Sequence, residues 1–357
     1  REISCFCLWG RGNPRHSYIE GGHSSNITER SEKVLKYIVK RIINLIPVVF
    51  VISIILFAMI KAMPGDPVLA MMPQGLKTAE QRQVVYNKIK SEMGYDRPNH
   101  QQYVMWLGRI VKGDLGFSTS YKKPVSAVIA EPLRNTFILN IGVTIISLLL
   151  SIFIGISSAV RKGSFYDKAW QVFSLIGISL PTFFIGLTLI FIFALKLGWL
   201  PANGMPILVD KQGVEVLIAW LRTLTLPTVT LVIGSLASTS RYVRTSMIDA
   251  LSQDYVKTAR SKGLSEKTVV YAHAFRNALI PVVTVVAWAI IGMFGGAAIT
   301  ETIFAYNGIG NQTIKAVLAQ DYNLVMGINM FYAILMVVGN LLQDIGYAAA
   351  DPRVRLE

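Results

Sequence analysis

Residues 136–160 read TFILNIGVTIISLLLSIFIGISSAV, twenty-five residues without one charged side chain. About twenty apolar residues in helical form cross the hydrocarbon core of a bilayer, which is ~30 Å thick. A helix this long with no polar face cannot rest on a soluble core, so the stretch predicts a transmembrane helix. Comparable uncharged stretches lie on both sides of it. Upstream is 42–60, which contains Pro47. Downstream are 169–195 with Pro181 at its centre, 224–240 with Pro227, 281–300, and 324–342. The count is about six spans in an all-α polytopic membrane protein. The bulk composition agrees: 357 residues, 52% hydrophobic, only 16% charged, with a mean hydropathy of +0.47. A soluble domain carries roughly a quarter charged residues.

Charge orients the spans. Lys33, Lys36, Lys40 and Arg41 precede the first, and Arg161, Lys162 and Lys168 follow the second. The segment 241–280 holds Arg241, Arg244, Lys257, Arg260, Lys262, Lys267 and Arg276 against Asp249, Asp254 and Glu266. Arg353 and Arg355 lie in the tail. Short basic loops stay in the cytoplasm, so both termini are expected there. The net charge of +14 is explained by these flanks, and nucleic-acid binding is not expected. Three soluble parts remain. Residues 1–33 are polar without helical period and read as a disordered extension. Val34 precedes the first span so closely that translation is expected to start there in the natural protein. Residues 61–134 form a long outer loop, with helices expected at 79–93 and 101–111. Residues 135–357 form a five-helix core. Cys5 and Cys7 are too close together for a disulfide framework and have too few neighbouring ligands for a metal site.

The chemistry that is missing is also informative. The spans hold amides and hydroxyls such as Asn140, Gln171 and Asn329 rather than the carboxylates, histidines or lysines that ion-coupled carriers use. There is no zinc-binding His-Glu-x-x-His, no Gly-x-Ser-x-Gly elbow and no Gly-x-x-x-x-Gly-Lys-Ser/Thr phosphate loop. No catalytic or metal-binding residue is expected, and no cofactor bound by this chain. Active transport would have to be powered by a partner.

That directs attention to 241–280. Residues 249–262 contain neither Pro nor Gly and read as one helix, with Ile248, Leu251, Tyr255 and Ala259 as its apolar stripe. Gly263 ends it, and Ser265 caps a second helix running to about Arg276. Taken alone, this pair is either an amphipathic hairpin on lipid headgroups or a knob for a cytosolic subunit. Separately, Gly292, Gly295 and Gly296 offer a surface for close helix packing in the fifth span.

The segment Asp254-Tyr255-Val256-Lys257-Thr258-Ala259-Arg260-Ser261-Lys262-Gly263-Leu264, with Arg276-Asn277-Ala278-Leu279-Ile280-Pro281 after it, resembles the cytoplasmic loop of binding-protein-dependent ABC importer permeases. The general form of that loop is Glu-Ala-Ala-x-x-x-Gly. Here Lys257-Thr258-Ala259 replaces Glu-Ala-Ala, a departure that is similar to the dipeptide/oligopeptide branch. Pro64-Gly65-Asp66-Pro67, Asp96-Arg97-Pro98, Gly113-Asp114-Leu115-Gly116, Ser179-Leu180-Pro181-Thr182-Phe183, Gly198-Trp199-Leu200-Pro201, Glu301-x-Ile303-Phe304, Gly308-Ile309-Gly310 and Asp321-Tyr322 extend the likeness over about 35–357.

The resemblance implies a type I importer permease fold in a prokaryotic plasma membrane, of the subunit type usually called B. Its implied partners are a C-type permease, two cytosolic ATPases carrying ATP and Mg, an extracytoplasmic solute-binding protein, a peptide substrate and membrane lipid. The implied ATPase-coupling residues are Asp254, Tyr255, Lys257, Thr258, Ala259, Arg260, Lys262, Gly263 and Leu264. Related permeases carry nickel, glutathione or oligosaccharides. A passive channel or structural membrane subunit is the alternative of another class.

Overall fold

The computed structural model describes residues 22–62, 65–73, 75–76, 78–210, 212–278, 286, 289–290 and 292–350. Helix α1 (Gly22–Ala62) contains the first expected span, and its apolar part is 39–59. The helix starts well before that span. Residues 22–33, expected to be disordered, are its first turns. Extending a helix costs far less than nucleating one, so a long apolar helix can carry a polar leader made of ordinary helix formers such as Glu29, Arg30 and Lys33. The rest of the expected extension and the start at Val34 lie outside what the structure tests.

The outer loop is built from short elements. Asp66 caps α2 (Pro67–Met71) by accepting from Val68 N at 2.8 Å, and Tyr86 OH donates to its other oxygen at 2.7 Å. Thr78 caps α3 (Ala79–Glu92), which has no buried residue. Helix α4 (Asn99–Val111) buries Trp106 and Ile110 against Met326 and Met330. Both expected loop helices are therefore present. An antiparallel hairpin follows, with Phe117 opposite Pro124 and Ser118 opposite Lys123. It is tied to the last helix by the fully buried Asp321. That carboxylate accepts from Ser118 Oγ at 2.5 Å, Ser120 N at 3.0 Å and Leu324 N at 3.2 Å.

The core is a helical bundle. α5 (Val125–Val160) and α8 (Val214–Leu251) form its most extensive pair. Between them in sequence, the expected third span is broken. α6 (Phe165–Ser179) and α7 (Thr182–Leu189), the latter continued by a π-helical segment Ile190–Lys196, meet at 101°. The cause lies at Pro181: it has no N–H to continue the ladder and drives Leu180 to an extended φ of −79° and ψ of 130°. The fourth span belongs to a helix longer than expected at both ends: α8 runs from Val214 to Leu251 and passes through Pro227 without stopping. Short helices α9 (Asp254–Ser261) and α10 (Glu266–Thr268), with a π-helical continuation Val269–Phe275, make the inner loop. Eight of the twenty residues of the expected fifth span, 281–285, 287–288 and 291, lie outside the described set. After it come α11 (Ala298–Ile303), α12 (Ile309–Leu318) and α13 (Tyr322–Ala350). Among the described residues, four helices are long and apolar enough to cross a membrane, or five if the bent pair counts as one.

Candidate coupling site

The inner loop differs from its sequence reading in one important respect. Residues 249–262 are not one helix. α8 ends at Leu251, Gln253 turns extended (φ −73°, ψ 152°), and α9 starts afresh at Asp254. The restart rotates the face. Val256 and Ala259 are the buried residues of α9, while Tyr255, expected in the apolar stripe, stands outward at 38% exposure. Ile248 and Leu251 do pack where expected, half-buried against the same cluster.

That cluster holds the loop to the bundle. Val256 and Ala259 sit among Ile156 and Ala159 of α5, Val243, Met247 and Ala250 of α8, and Val269, Val270 and Ala274 of the π-helical segment. The bend after α9 is a defined cap. Leu264 N donates to Ala259 O at 3.4 Å and Gly263 N to Arg260 O at 2.9 Å, the pairing of a Schellman motif. Gly263 has φ +74°, the left-handed conformation that glycine reaches without cost. Ser265 caps the next helix through Thr268 N, as expected.

The remaining predicted residues form the outward surface. Lys257 Nζ bonds Asp254 Oδ1 at 2.9 Å, and this bond holds the Asp254 carboxyl below its usual range. Arg260 pairs with Glu266 at 2.8 Å, bridging the two helices across Gly263. Tyr255, Thr258, Lys262 and Leu264 are exposed. The loop thus presents a rigid, mixed aromatic and basic knob on a small apolar root.

Two further features were not legible as site residues. Arg244, which counts toward the positive excess of the loop, grips the buried Asp167 through two bonds of 2.6 and 2.8 Å. Gly163 N also donates to Asp167, at 2.9 Å, so the α5–α6 turn is locked to α8. The Ser164-x-x-Asp167 spacing of a helix cap was the available signal.

The second is at the opposite end of α5. Glu301 is 1% exposed, and its carboxylate accepts from Thr136 Oγ1 at 2.8 Å and Asn311 N at 2.9 Å, at the start of α12. Tyr306 OH donates to Asn135 O at 2.5 Å, and Asn135 Nδ2 to Asn307 O at 2.9 Å. The 306–310 loop is thus wedged against α5. Gly308 and Gly310 allow this: a β-carbon at Gly310 would stand 2.7 Å from the Ala298 backbone and 2.9 Å from Glu301 Oε2.

The glycines of the fifth span need a correction. Among the described residues, Gly292 has no neighbour that a β-carbon would meet, and Gly295 meets only Gly292. Gly296 alone is a close contact, against the Gly310 backbone of the same chain. Residues 293–297 turn instead of continuing a helix, so the three do not share one helix face.

Comparison with known proteins places this architecture. The family model described as binding-protein-dependent transport system inner membrane component matches residues 151–356. The N-terminal model of the same systems' membrane component matches 34–139. The oligopeptide transport system permease protein AppB of Bacillus subtilis is 37% identical over 319 residues, 89% of this chain and 98% of that protein. A Brucella abortus protein with a peptide transport system permease name is 35% identical over 320 residues, 90% and 99% of the two chains. A crystallised amino acid ABC transporter with histidines aligns at TM-score 0.49 and 16% identity, covering 63% of this chain and 94% of that one.

Proposed function

This chain belongs to the family of inner-membrane components of binding-protein-dependent transport systems, and from that premise we propose that it is a peptide-conducting permease half whose α9 knob receives the stroke of a cytosolic ATPase. It is a multi-pass inner-membrane protein of an ABC importer system, which works with ATPase and binding-protein partners. A second permease of the C type completes the pathway, two ATPase subunits hold ATP and Mg, and this chain carries out no chemistry itself. The substrate reading rests on the peptide and oligopeptide names of relatives that align along nearly their whole length.

The observation that carries the coupling role is the construction of the loop. Val256 and Ala259 fasten α9 to the ends of α5 and α8, while Tyr255, Thr258, Lys262 and Leu264 are left uncovered. A push on that surface is delivered to the two longest core helices. Gly263→Asp tests docking at a modest cost to folding: a side chain there meets no atom within 4 Å, and at φ +74° it carries about 1 kcal/mol of left-handed strain, which the bundle outweighs. In proteoliposomes with the full transporter, the variant should insert normally yet lose peptide uptake and substrate-stimulated ATP hydrolysis. Wild-type uptake by this variant would refute the docking role.

A further inference from the structure

Two features lie along one face of α1, on either side of the packed rings of Phe57, Tyr103 and Trp106. Beside Lys61, the end of α1, helix α4 and the start of α13 enclose a pocket of about 100 Å³. Lys61 and Arg109 bring cationic groups to it, Tyr95 and Gln102 polar ones, and Phe57 and Trp106 aromatic walls. Lys61 Nζ donates to Gln102 Oε1 and lies 5.0 Å from the Tyr95 ring centre. No acidic side chain lines the pocket, and neither cation has an ion-pair partner among the described residues. The nearby Asp66 is already bonded to Val68 N and Tyr86 OH.

Further along α1 is a groove of about 430 Å³, walled by Leu45, Ile46, Val49 and Phe50 of α1 and by Val338 and Leu341 of α13. Ser53, its one hydroxyl, is spent on Tyr103 OH and Phe50 O, both at 2.7 Å. Residues 46, 50, 53, 57 and 61 recur at helical spacing, so pocket and groove follow one stripe of α1. Lys61 stands two residues beyond the apolar span that ends at Met59. The groove therefore lies at hydrocarbon depth and the cations at the depth of headgroup phosphates.

We propose that the pocket and groove form a binding site for one anionic phospholipid, its phosphate between Lys61 and Arg109 and an acyl chain along the groove. Lysine and arginine are the side chains suited to phosphate, and two of them without counter-charge favour a lipid of net negative charge. A water-soluble anion has no use for the groove. The basic flank of α1 at its other end assigns this site to the extracytoplasmic leaflet.

The test uses the whole transporter, purified in detergent and stripped of lipid. Phosphatidylglycerol should raise its unfolding temperature by about 2–4 °C, while phosphatidylcholine and inorganic phosphate should not. Lys61→Ala combined with Arg109→Ala should remove the shift, as should Val338→Trp, which fills the groove without touching a charge. Lys61→Arg should keep it. Native mass spectrometry should show about tenfold less bound phosphatidylglycerol in the first two variants. If the double variant does not assemble, Val338→Trp and Lys61→Arg decide by themselves. An undiminished shift in Val338→Trp, or a full shift with inorganic phosphate alone, overturns the proposal.

Discussion

The two ends of α5 carry junctions of opposite character. At the Asn135–Thr136 end, a buried carboxylate, a helix start and two glycines with no spare room interlock through short hydrogen bonds. At the Ile156–Ala159 end, α9 is held by two apolar side chains, and its ion pairs lie exposed. The first is built to hold one geometry. The second anchors a root and leaves a surface for something else. A buried hydrogen-bonded group is costly to disturb, whereas an exposed pair contributes little, so the contrast has measurable consequences.

The largest effect is expected from Glu301→Ala. It leaves Thr136 and the Asn311 N–H without their acceptor and should cost about 3 kcal/mol or more, visible as an early thermal transition in detergent. At the other end of α5, Val256→Ala removes part of the root of α9 and should cost about 2 kcal/mol. Protease susceptibility near residue 263 should rise first there, since the loop loosens before the bundle does. Gly263→Ala should cost about 1 kcal/mol, the strain of a left-handed alanine in otherwise open space. Lys257→Ala should have the smallest effect, because its partner Asp254 is solvated and an exposed pair contributes little.

Acid should separate the two junctions further. Burial raises the Glu301 carboxyl above its usual 4.5, outweighing the hydrogen bonds that lower it. Its contribution to stability is therefore full at low pH and lost as pH rises through the raised value. The Asp254 carboxyl is held below its usual 3.8 by Lys257, so its contribution is present at neutral pH and lost as pH falls through the lowered value. Mild acid should strengthen the Thr136 junction and, with further acidification, release the Asp254–Lys257 bond. Hydrogen exchange at the two sites across a pH series checks both signs, and Glu301→Gln should abolish the first dependence.

The sequence disclosed what depends on neighbours along the chain. Charge-free runs located the spans around α1, α5, α8 and α13, and the Gly263 bend and the Ser265 cap followed from residue type. It hid what depends on distance. Thr136 and Glu301 are 165 residues apart, and Arg244 and Asp167 are 77 apart, so neither pair has a local pattern. Tyr255 was misplaced because a helical period assumes an unbroken helix, and the extended Gln253 resets the phase. Pro181 was visible, but a proline in mid-span is compatible with a mild kink or a sharp break. Packing of α7 against α8 and α11 accompanies the break.

The central claim is that the uncovered side of α9 touches the motor subunit. The most direct measurement is thiol cross-linking from Thr258→Cys, an exposed position between the buried Val256 and Ala259. In membranes holding the complete importer, this variant should form a covalent adduct with the ATPase subunit, and ATP should change the yield. Failure to cross-link from Thr258→Cys, together with peptide uptake that survives a bulky thiol label at the same position, would contradict the account.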